Sequence, residues 1–293
     1  MYKKIGALSC ITLFFSFSVH THDTNDTTVV PEFAILIPSY NNEQYCIENL
    51  ESVIYQKSSK PYQVFVINDC STDKTGELLD SFVRNHNLQS LVTLIHNDKR
   101  CGSLENIYSV IHNYIDDHKV VVSVEGADQL ASDEVLMRLE KEYENPTIHL
   151  TYGSFIRSST GKPGKIRIIS DKVIQKGALR KELKMFSVSH LKTFRAGLFK
   201  KIKKEDLMFN EAFFPLSEDS AFMYPMIEML TPTKKTTEKH IAFIPDILYK
   251  YTGENLLNDS RMHRKKQQFF DLYIKQKKCY RQLDTAVLKI KGE

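Results

Sequence analysis

The sequence predicts an α/β fold with a mainly parallel central sheet and helices on both faces. Short apolar runs that are typical of buried strands alternate with helix-length segments between Phe33 and Tyr143. The helix-length segments carry apolar residues at helical spacing. Strands that alternate with helices in this way pair in parallel, because each helix returns the chain to the same end of the sheet.

The elements of this first half follow one another in a regular order. The predicted strands are Phe33–Ile37, Tyr62–Ile67, Leu91–His96 and Val120–Val124. The predicted helices are Glu43–Gln56, Gly76–Asn85, Leu104–Tyr114 and Asp133–Tyr143. Pro38 ends the first strand, since proline cannot continue a central strand. In the third helix, Leu104, Ile107 and Ile111 form an apolar stripe.

The regular alternation ends after Ile148. Arg157–Lys184 is polar, contains glycine and is rich in lysine, which predicts a long surface loop. Further on, His240–Tyr251 has the pattern of a late strand, and Lys265–Leu283 has the pattern of a basic amphipathic helix.

Between these segments lies the stretch SHLKTFRAGLFKKI, from Ser189 to Ile202. Its apolar residues Leu191, Phe194 and Leu198 recur at a spacing of three to four. This spacing predicts a helix that faces the core.

Composition indicates a single domain. The chain has 293 residues, 42% of them hydrophobic, and no change in composition divides it. The net charge of +4 is small, so it fits a protein that binds phosphate-bearing small molecules and does not indicate nucleic acid as a partner. We expect the domain to span residues 33–258, followed by a basic C-terminal helix at 259–293.

The N-terminal segment has the features of an export signal. A pair of lysines precedes an apolar run from Ile5 to Val19, which is short for a membrane span. Residues 1–24 are therefore expected to be a signal peptide or a short signal anchor. Either would place the protein in a secretory or exported location, with membrane association if the segment stays uncleaved. There, Cys70 and Cys101 could form a disulfide or remain free thiols.

Two strand ends lead into polar turns. The apolar run Ile35–Ile37 is followed by Pro38 and the letters SYNNE, and the run Val64–Ile67 is followed by Asn68 and Asp69. In open parallel sheets, ligands bind outside the carboxyl ends of the strands, so the two turns converge on one crevice. Asp69 could accept hydrogen bonds there from a base or a ribose, or it could close an Asx-turn.

Several blocks of the sequence match a known family when they are taken together. ILIPSYNNE at 35–43 and VINDCSTDKT at 66–75 resemble the opening motifs of family-2 glycosyltransferases of the GT-A fold. The resemblance continues, as far as about Asn258, through Glu125–Asp128, His149–Phe155, Ser189–Ile202 and Ser217–Met229. Blocks in this order are specific, although each alone is weak.

The resemblance implies a GT-A Rossmann-like sandwich and a sugar-transfer activity. Its substrate would be a nucleotide-sugar donor, with a UDP-linked donor favoured. The sugar would pass with inversion to a hydroxyl of a glycan, lipid or protein acceptor.

The resemblance also places the nucleoside of the donor near the first two strands. It implies contacts from Pro38, Tyr40, Glu43 and Asp69, with Glu125 on the ribose side and Asp98 available from the turn after the third strand. Another interpretation of Glu43 is a charge in the first turn of a helix, where it interacts favourably with the helix dipole.

The metal motif of the family is altered in this chain. The sequence Glu125-Gly126-Ala127-Asp128 stands where the family has D-G-D-D, so Ala127 takes the place of the metal ligand. A methyl group cannot coordinate Mn²⁺ or Mg²⁺, which prefer oxygen ligands. Asp128 is the remaining candidate ligand, although successive side chains of an extended chain point in opposite directions. The other interpretation is that the metal site is lost.

The block that begins at Ser217 contains the predicted base. The resemblance implies that Asp219 deprotonates the acceptor hydroxyl. It also implies that Glu218 contacts the acceptor or the phosphates. The other interpretation is an acidic pair at a helix N-terminus, with Ser217 as the cap.

Three basic residues complete the predicted site. His190, Arg261 and His263 are implied as contacts to the acceptor or to the phosphates. A capping or packing role is the alternative for His190. For Arg261 and His263 the alternative is a solvated charged helix face.

Two other functions bear on this interpretation. A GT-A protein with a lost metal site could bind nucleotide or carbohydrate without catalysis, and Ala127 favours this alternative. A nucleotidyltransferase with a similar sheet is disfavoured, because no Gly-rich phosphate loop with a lysine follows the first strand.

Overall fold

The computed structural model describes residues 33–164, 168–170, 172–173, 179–182, 188–231, 239–253 and 263–283. The strands are β1 (Phe33–Ser39), β2 (Tyr62–Asn68), β3 (Val92–His96), β4 (Val120–Ser123), β5 (Gln129–Leu130), β6 (Leu150–Arg157), β7 (Lys192–Arg195), β8 (Met208–Phe209), β9 (Ala212–Phe213) and β10 (Ile241–Tyr251). The helices are α1 (Cys46–Ile54), α2 (Thr75–Asn85), α3 (Ser103–Tyr114), α4 (Val135–Tyr143), α5 (Leu179–Glu182), α6 (Ala196–Phe199), α7 (Glu218–Met229) and α8 (Arg264–Gln276).

One sheet organises the described part of the chain, with the strand order β3-β2-β1-β4-β7-β6-β10-β5. The first four strands in this order are parallel, β7 runs antiparallel to both of its neighbours, and β6 and β10 are parallel to each other. Ser39 lies opposite Asn68, so the carboxyl ends of β1 and β2 are level. The predicted mainly parallel sheet is confirmed.

Each face of the sheet is covered by its own apolar core. Along β1, Ala34 and Leu36 belong to one core, whereas Phe33, Ile35 and Ile37 belong to the other. Helices α3 and α7 contribute to the first core, and α1, α2 and α4 contribute to the second. Burial on both faces is why the strand has a continuous apolar sequence.

The helix predicted between Ser189 and Ile202 is wrong. The segment instead forms β7, which pairs antiparallel with β4 so that Val121 lies opposite Phe194, and only the short α6 follows it. The apolar spacing was misleading because β7 contains the buried charged residues Lys192 and Arg195, which hide the pattern of a central strand. Pairing with distant strands overrides local spacing here.

The surface loop predicted for Arg157–Lys184 is also wrong in part. Leu179 and Arg180 of α5 are buried, and the Arg180 guanidinium lies 2.6 and 2.8 Å from the two carboxylate oxygens of Glu228 on α7. An ion pair removed from water must be well matched in geometry to persist, and this one is bidentate. Charged composition predicted exposure, but in this segment charge forms an internal contact.

The predicted C-terminal helix is shorter than expected. Helix α8 ends at Gln276, and the following residues pack without helical structure. Lys277 Nζ donates to the carbonyl of Glu205, and Tyr280 N donates to Glu228 Oε2. These contacts replace the hydrogen bonds that a continuing helix would make.

None of the helices within the described ranges is long and apolar enough to span a membrane. The predicted signal segment at residues 1–24 lies outside those ranges.

Candidate functional site

The turns after β1 and β2 are joined to each other by hydrogen bonds. Asn41 N donates to Ser71 Oγ at 3.0 Å, and Thr72 N donates to Asn41 Oδ1 at 2.8 Å. Asn42 N donates to Thr75 Oγ1 at 2.7 Å. We call residues 41–43 and 71–75 the interlocked turns. Because their backbone groups are satisfied internally, this side of the crevice is formed before any ligand binds.

Glu43 belongs to the same hydrogen-bond system. Its Oε2 accepts from Lys74 N at 3.1 Å, and its own N–H donates to Asp73 Oδ2 at 3.1 Å. Glu43 precedes α1 and is exposed. Its observed contacts therefore tie the two turns together.

Tyr40 and Pro38 lie at the end of β1 and are half-buried. The Arg100 guanidinium lies 3.8 Å above the centroid of the Tyr40 ring, which is a close cation–π contact. Arg100 and its neighbour Asp98 are in an exposed loop. A planar ring is thus available at the mouth of the crevice, with a cation stacked on it.

Asp69 is buried and holds the loop that leads into α3. Its Oδ1 accepts from Asn97 Nδ2 at 2.8 Å and from Cys101 N at 2.9 Å, and its Oδ2 accepts from Gly102 N at 2.8 Å. Burial acts to raise the pKa of Asp69, but these hydrogen bonds outweigh it and the pKa is lowered. A carboxylate has about four acceptor positions, so three of them serve the protein itself.

The disulfide considered for the same region is not formed. Cys70 and Cys101 are both free thiols. The Cys70 Sγ contacts the carbonyl of Asp98 at 3.7 Å, and the Cys101 Sγ contacts the carbonyl of Lys99 at 3.5 Å. Each thiol is therefore directed to a backbone oxygen of this loop.

A second group of side chains lies where β4, β7 and α7 meet. Glu125 follows β4, His190 precedes β7, and Asp219 is the second residue of α7. One ligand atom from each of these three lies within 4.8 Å of the others, which makes them a possible acidic ligand cluster for a metal ion. Together with Asp128 and Lys192 we call them the charged cluster.

Asp128 does not join the other two carboxylates in that group. Its Oδ1 accepts from Thr252 N at 2.7 Å, and its Oδ2 is buried without a hydrogen-bond partner. Burial raises the pKa of Asp128 to about 6, and the Thr252 hydrogen bond opposes this only in part. Its carboxylate is thus directed towards the chain after β10. Residues 125–128 form a turn, in which Asp128 N donates to the carbonyl of Glu125, so the alternation of an extended chain does not apply, and the structure does not support the metal role considered for Asp128.

Gly126 sets the distance between the charged cluster and β1. A Cβ at this position would lie 2.7 Å from Asn42 Nδ2, 2.8 Å from the carbonyl of Pro38 and 2.9 Å from Ser39 Oγ. A side chain at position 126 would therefore move the turn that contains it away from the end of β1. The glycine of the altered motif is required by this close approach.

Lys192 is the functional residue that the sequence analysis missed. Its side chain is 2% exposed, and its Nζ lies 2.5 Å from Asp219 Oδ2 and 3.1 Å from His190 Nδ1. Burial acts to lower the pKa of Lys192, but the carboxylates of Asp219 and Glu125 outweigh it and the pKa is raised. The lysine is therefore an ammonium ion. A charged residue within a short buried strand was the available signal.

His190 is neutral and fixed in one tautomer. Its ring stacks on Tyr249, with centroids 4.5 Å apart and an interplanar angle of 7°. Burial and the Lys192 charge hold the pKa of His190 well below its ordinary value. Because an ammonium group can only donate, His190 Nδ1 is the acceptor and Nε2 carries the proton. That Nε2 lies 3.7 Å from Glu125 Oε1.

These contacts decide whether the cluster fits a divalent ion. A metal ligand must offer a lone pair, but the Nε2 of neutral His190 carries a proton, and Asp219 Oδ2 already contacts Lys192. Ala127 offers no ligand atom. The residues as arranged do not fit Mn²⁺ or Mg²⁺.

The other predicted contacts lie around α7 and α8. Glu218 is the first residue of α7, next to Asp219. Ser217 does not cap this helix, because its φ is 62° and its hydroxyl donates to the carbonyl of Gln267. His263 immediately precedes α8 and is exposed. Arg261 lies outside the described residues.

Comparison with known proteins supplies the family. The family model described as glycosyl transferase family 2 matches residues 34–207. Over 59 residues the chain is 36% identical to the poly(ribitol-phosphate) beta-N-acetylglucosaminyltransferase TarS of Staphylococcus aureus. That match covers 20% of this chain and 10% of TarS.

Two solved structures are similar over most of the chain. Staphylococcus aureus TarS 1–349 in complex with UDP-GlcNAc has a TM-score of 0.56 and 19% identity, and the match covers 79% of this chain and 61% of that one. The mannosyltransferase PcManGT from Pyrobaculum calidifontis, in complex with GDP-Man and Mn²⁺, has a TM-score of 0.56 and 16% identity, with 86% and 67% covered.

At these identities the structural similarity establishes the fold, which is the predicted GT-A fold. The family model extends over more than half of the chain, from β1 to the 3₁₀ turn at Lys204–Leu207. On this match, the protein belongs to glycosyl transferase family 2.

Proposed function

We propose that this protein transfers a sugar from a nucleotide-sugar donor to an acceptor hydroxyl, with inversion at the anomeric carbon. The observation that carries the proposal is the position of Asp219. Its carboxylate stands at the N-terminus of α7, 27% exposed, within reach of Glu125 at the end of β4. A partly exposed carboxylate that faces the carboxyl end of a parallel strand is suited to act on a ligand in the crevice.

The nucleoside of the donor is proposed to bind on the side of the interlocked turns. Pro38 and Tyr40 offer an apolar edge and an aromatic face, while Asp69 holds the adjoining loop and keeps one acceptor position. TarS has been solved with UDP-GlcNAc and PcManGT with GDP-Man. A UDP-linked donor remains our proposal, and GDP is the competing nucleotide to be tested.

In the proposed reaction, Asp219 accepts the proton of the acceptor hydroxyl. The oxygen then forms a bond to the anomeric carbon as the bond from that carbon to the donor diphosphate breaks. A single displacement of this kind inverts the configuration. Glu125 and Glu218 lie beside the base, where Glu125 would contact the ribose and Glu218 the acceptor or the phosphates. The predicted Mn²⁺ or Mg²⁺ is left out of these steps, because the cluster does not fit it.

The wider biological setting is proposed from the sequence. The acceptor would be a glycan, lipid or protein, and residues 1–24 would direct export or anchor the chain. The catalytic domain would be residues 33–258, with 259–293 as a basic C-terminal extension.

A thermal-unfolding screen tests the donor side of the proposal. UDP, GDP, their sugar conjugates and the free nucleosides would each be added to the full chain. A ligand present at about 100 times its dissociation constant stabilises the folded state by about 2.7 kcal/mol. We expect the diphosphates and sugar conjugates of one nucleotide to raise the unfolding temperature. No shift with any of them would contradict the proposal.

A second candidate function is binding without turnover. The observation in its favour is the ion pair between Lys192 and Asp219, which occupies one oxygen of the proposed base. Chromatographic detection of donor hydrolysis and of transfer to simple acceptors separates the two functions. Release of free nucleoside diphosphate supports catalysis, whereas tight binding without any release supports the binding function.

A further inference from the structure

We propose that Lys192 is a built-in cation, whose ammonium group takes the place of a divalent metal ion between Glu125, His190 and Asp219. Binding of the donor diphosphate would then need no metal. The identity of the diphosphate ligand rests on the proposed function. The exclusion of the metal rests on the arrangement of this chain's own side chains.

The position of Lys192 is fixed by the sheet. Strand β7 pairs antiparallel with β4, and Lys192 lies opposite Ser123, two residues before Glu125. Its Nζ reaches Asp219 Oδ2 at 2.5 Å on α7 and His190 Nδ1 at 3.1 Å. The ammonium group thus connects β7 to the N-terminus of α7.

The altered metal motif and the lysine are complementary. Ala127 stands where the resemblance implies a metal ligand, and Asp128 is directed to Thr252 N. Among the described residues, Lys192 is the cation that contacts Asp219 directly. Lys192 therefore supplies a positive charge at the place where the resemblance implies a divalent metal ion.

The lysine also prevents an ion from entering. While Lys192 donates to His190 Nδ1, the imidazole keeps its proton on Nε2 and cannot act as a ligand. Asp219 Oδ2 is held by the same ammonium group. A divalent ion could bind the three side chains only after the lysine charge had been removed.

This charge matters for an anionic ligand. Without compensation, Glu125 and Asp219 would repel a diphosphate that approached the end of β4. One buried ammonium ion, paired with Asp219, lowers that repulsion. Because the ammonium group itself is buried, salt screens its charge less than it would screen a lysine at the surface.

The test compares metal binding and diphosphate binding in matched variants. Lys192→Met removes the charge and keeps the length of the side chain, and Lys192→Arg keeps the charge. Lys119→Met is the control, because Lys119 is also buried and pairs with Asp116 at 3.3 Å, outside the charged cluster. Mn²⁺ binding would be followed by calorimetry and by electron paramagnetic resonance, and UDP and GDP binding by calorimetry with EDTA or with Mn²⁺.

We expect the diphosphate affinity of the unmodified protein to be the same in EDTA and in Mn²⁺. Lys192→Met should bind Mn²⁺ at least about tenfold more tightly than the unmodified protein, because the three ligands are released. Its diphosphate binding should become dependent on Mn²⁺. Lys192→Arg and Lys119→Met should behave like the unmodified protein.

Two results would overturn the proposal. One is loss of diphosphate binding by the unmodified protein in EDTA with recovery in Mn²⁺, an experiment that needs no variant and so does not depend on their folding. The other is equal Mn²⁺ affinity in Lys192→Met and the unmodified protein when circular dichroism shows both folded. If neither UDP nor GDP binds to any of the proteins, the proposed function fails, and the Mn²⁺ comparison still decides the role of Lys192.

Discussion

The two sides of the crevice are built in opposite ways. The interlocked turns hold together by hydrogen bonds between polar side chains and backbone groups, such as those of Asn41, Asn42 and Glu43. The charged cluster brings together carboxylates, an imidazole and an ammonium ion, of which Lys192 and Asp128 are almost fully buried. One side is a satisfied polar network, whereas the other concentrates charged groups, two of them buried and two partly exposed.

This difference shows which side is shaped for stability and which for chemistry. In the turns, each donor named above has a partner at 2.7–3.1 Å. In the cluster, Asp128 keeps an unpartnered buried oxygen, and its pKa is raised, mainly by burial. Perturbed ionisable groups in a cleft are typical of functional sites.

The largest effect is expected from Asp219→Asn, which removes the proposed base and keeps its shape. Transfer should fall by about two to four orders of magnitude, since general base catalysis contributes about that much. Donor binding should persist, because the interlocked turns are untouched. Initial rates and calorimetry measure the two quantities. Asp271→Asn is the matched control on α8, where Asp271 accepts from Ser220 Oγ. Near-normal turnover in Asp219→Asn would remove this residue from the mechanism.

Asp69→Ala tests the side of the crevice on which the nucleoside is proposed to bind. The substitution leaves three N–H donors of one loop without their acceptor, so the free energy of unfolding should fall by about 2–4 kcal/mol. Nucleoside diphosphate affinity should fall with it. Denaturant unfolding and calorimetry measure both.

The contribution of Asp69 to the free energy of unfolding should also depend on pH. The pKa of Asp69 is lowered on folding, so its contribution is present above its ordinary value of 3.8 and is lost as the pH falls through the lower folded value. Asp80→Ala, on the surface of α2, is the control. Unchanged unfolding in Asp69→Ala would show that the loop does not depend on this carboxylate.

Gly126→Ala strains the contact between the turn after β4 and the end of β1, where the two sides of the crevice meet. The new methyl group would overlap the carbonyl of Pro38 and the side chains of Ser39 and Asn42, so we expect a loss of about 1–3 kcal/mol in unfolding free energy. In Gly161→Ala the methyl group enters open space, and the left-handed φ is its main cost. Equal thermal stability of Gly126→Ala and the unmodified protein would contradict the close approach of Gly126 to the end of β1.

The smallest effect is expected from Asp128→Asn and appears in the pH dependence of stability. Folding raises the pKa of Asp128 from 3.8 to about 6, so the folded state holds more protons than the unfolded state between these values. The free energy of unfolding therefore falls as the pH rises through about 6. In Asp128→Asn, the fall in the free energy of unfolding as the pH rises should be smaller by about 1–2 kcal/mol.

Urea unfolding at pH 5 and pH 8 measures this difference. Asp133→Asn, in an exposed ion pair with Lys57, is the control. An identical pH profile in Asp128→Asn would show that Asp128 is not the group that titrates.

Much of the fold and part of the site could be predicted from the sequence. The strands and helices up to Tyr143 follow from local apolar spacing, with ends that differ by a few residues. The turn residues Asn41 to Glu43 and Ser71 to Thr75 were identified from their place after buried strands. Their contacts to each other were not, because side-chain partners about 30 residues apart leave no periodic signal.

The two errors involve buried charged residues. Lys192 was assigned to a helix from the spacing of its apolar neighbours, and Arg180 was assigned to a surface loop because charged residues are usually exposed. Both are buried, and each is matched to a carboxylate that is distant in sequence, Asp219 and Glu228. Only the folded chain shows that these charges have partners, and the energy of a buried charge depends on its partner.

The sequence by itself determined the α/β class and the parallel first half of the sheet, and it places Ala127 where the resemblance implies a metal ligand. These features depend on local spacing and on the identity of single residues. The tertiary structure alone decided that Asp128 is directed to Thr252, that His190 carries its proton on Nε2 and that Lys192 lies beside Asp219. The contacts of Asp128 with Thr252 and of Lys192 with Asp219, at 2.7 and 2.5 Å, join residues that are far apart in sequence, and pairwise electrostatic interactions at that range are set by geometry that local sequence does not contain.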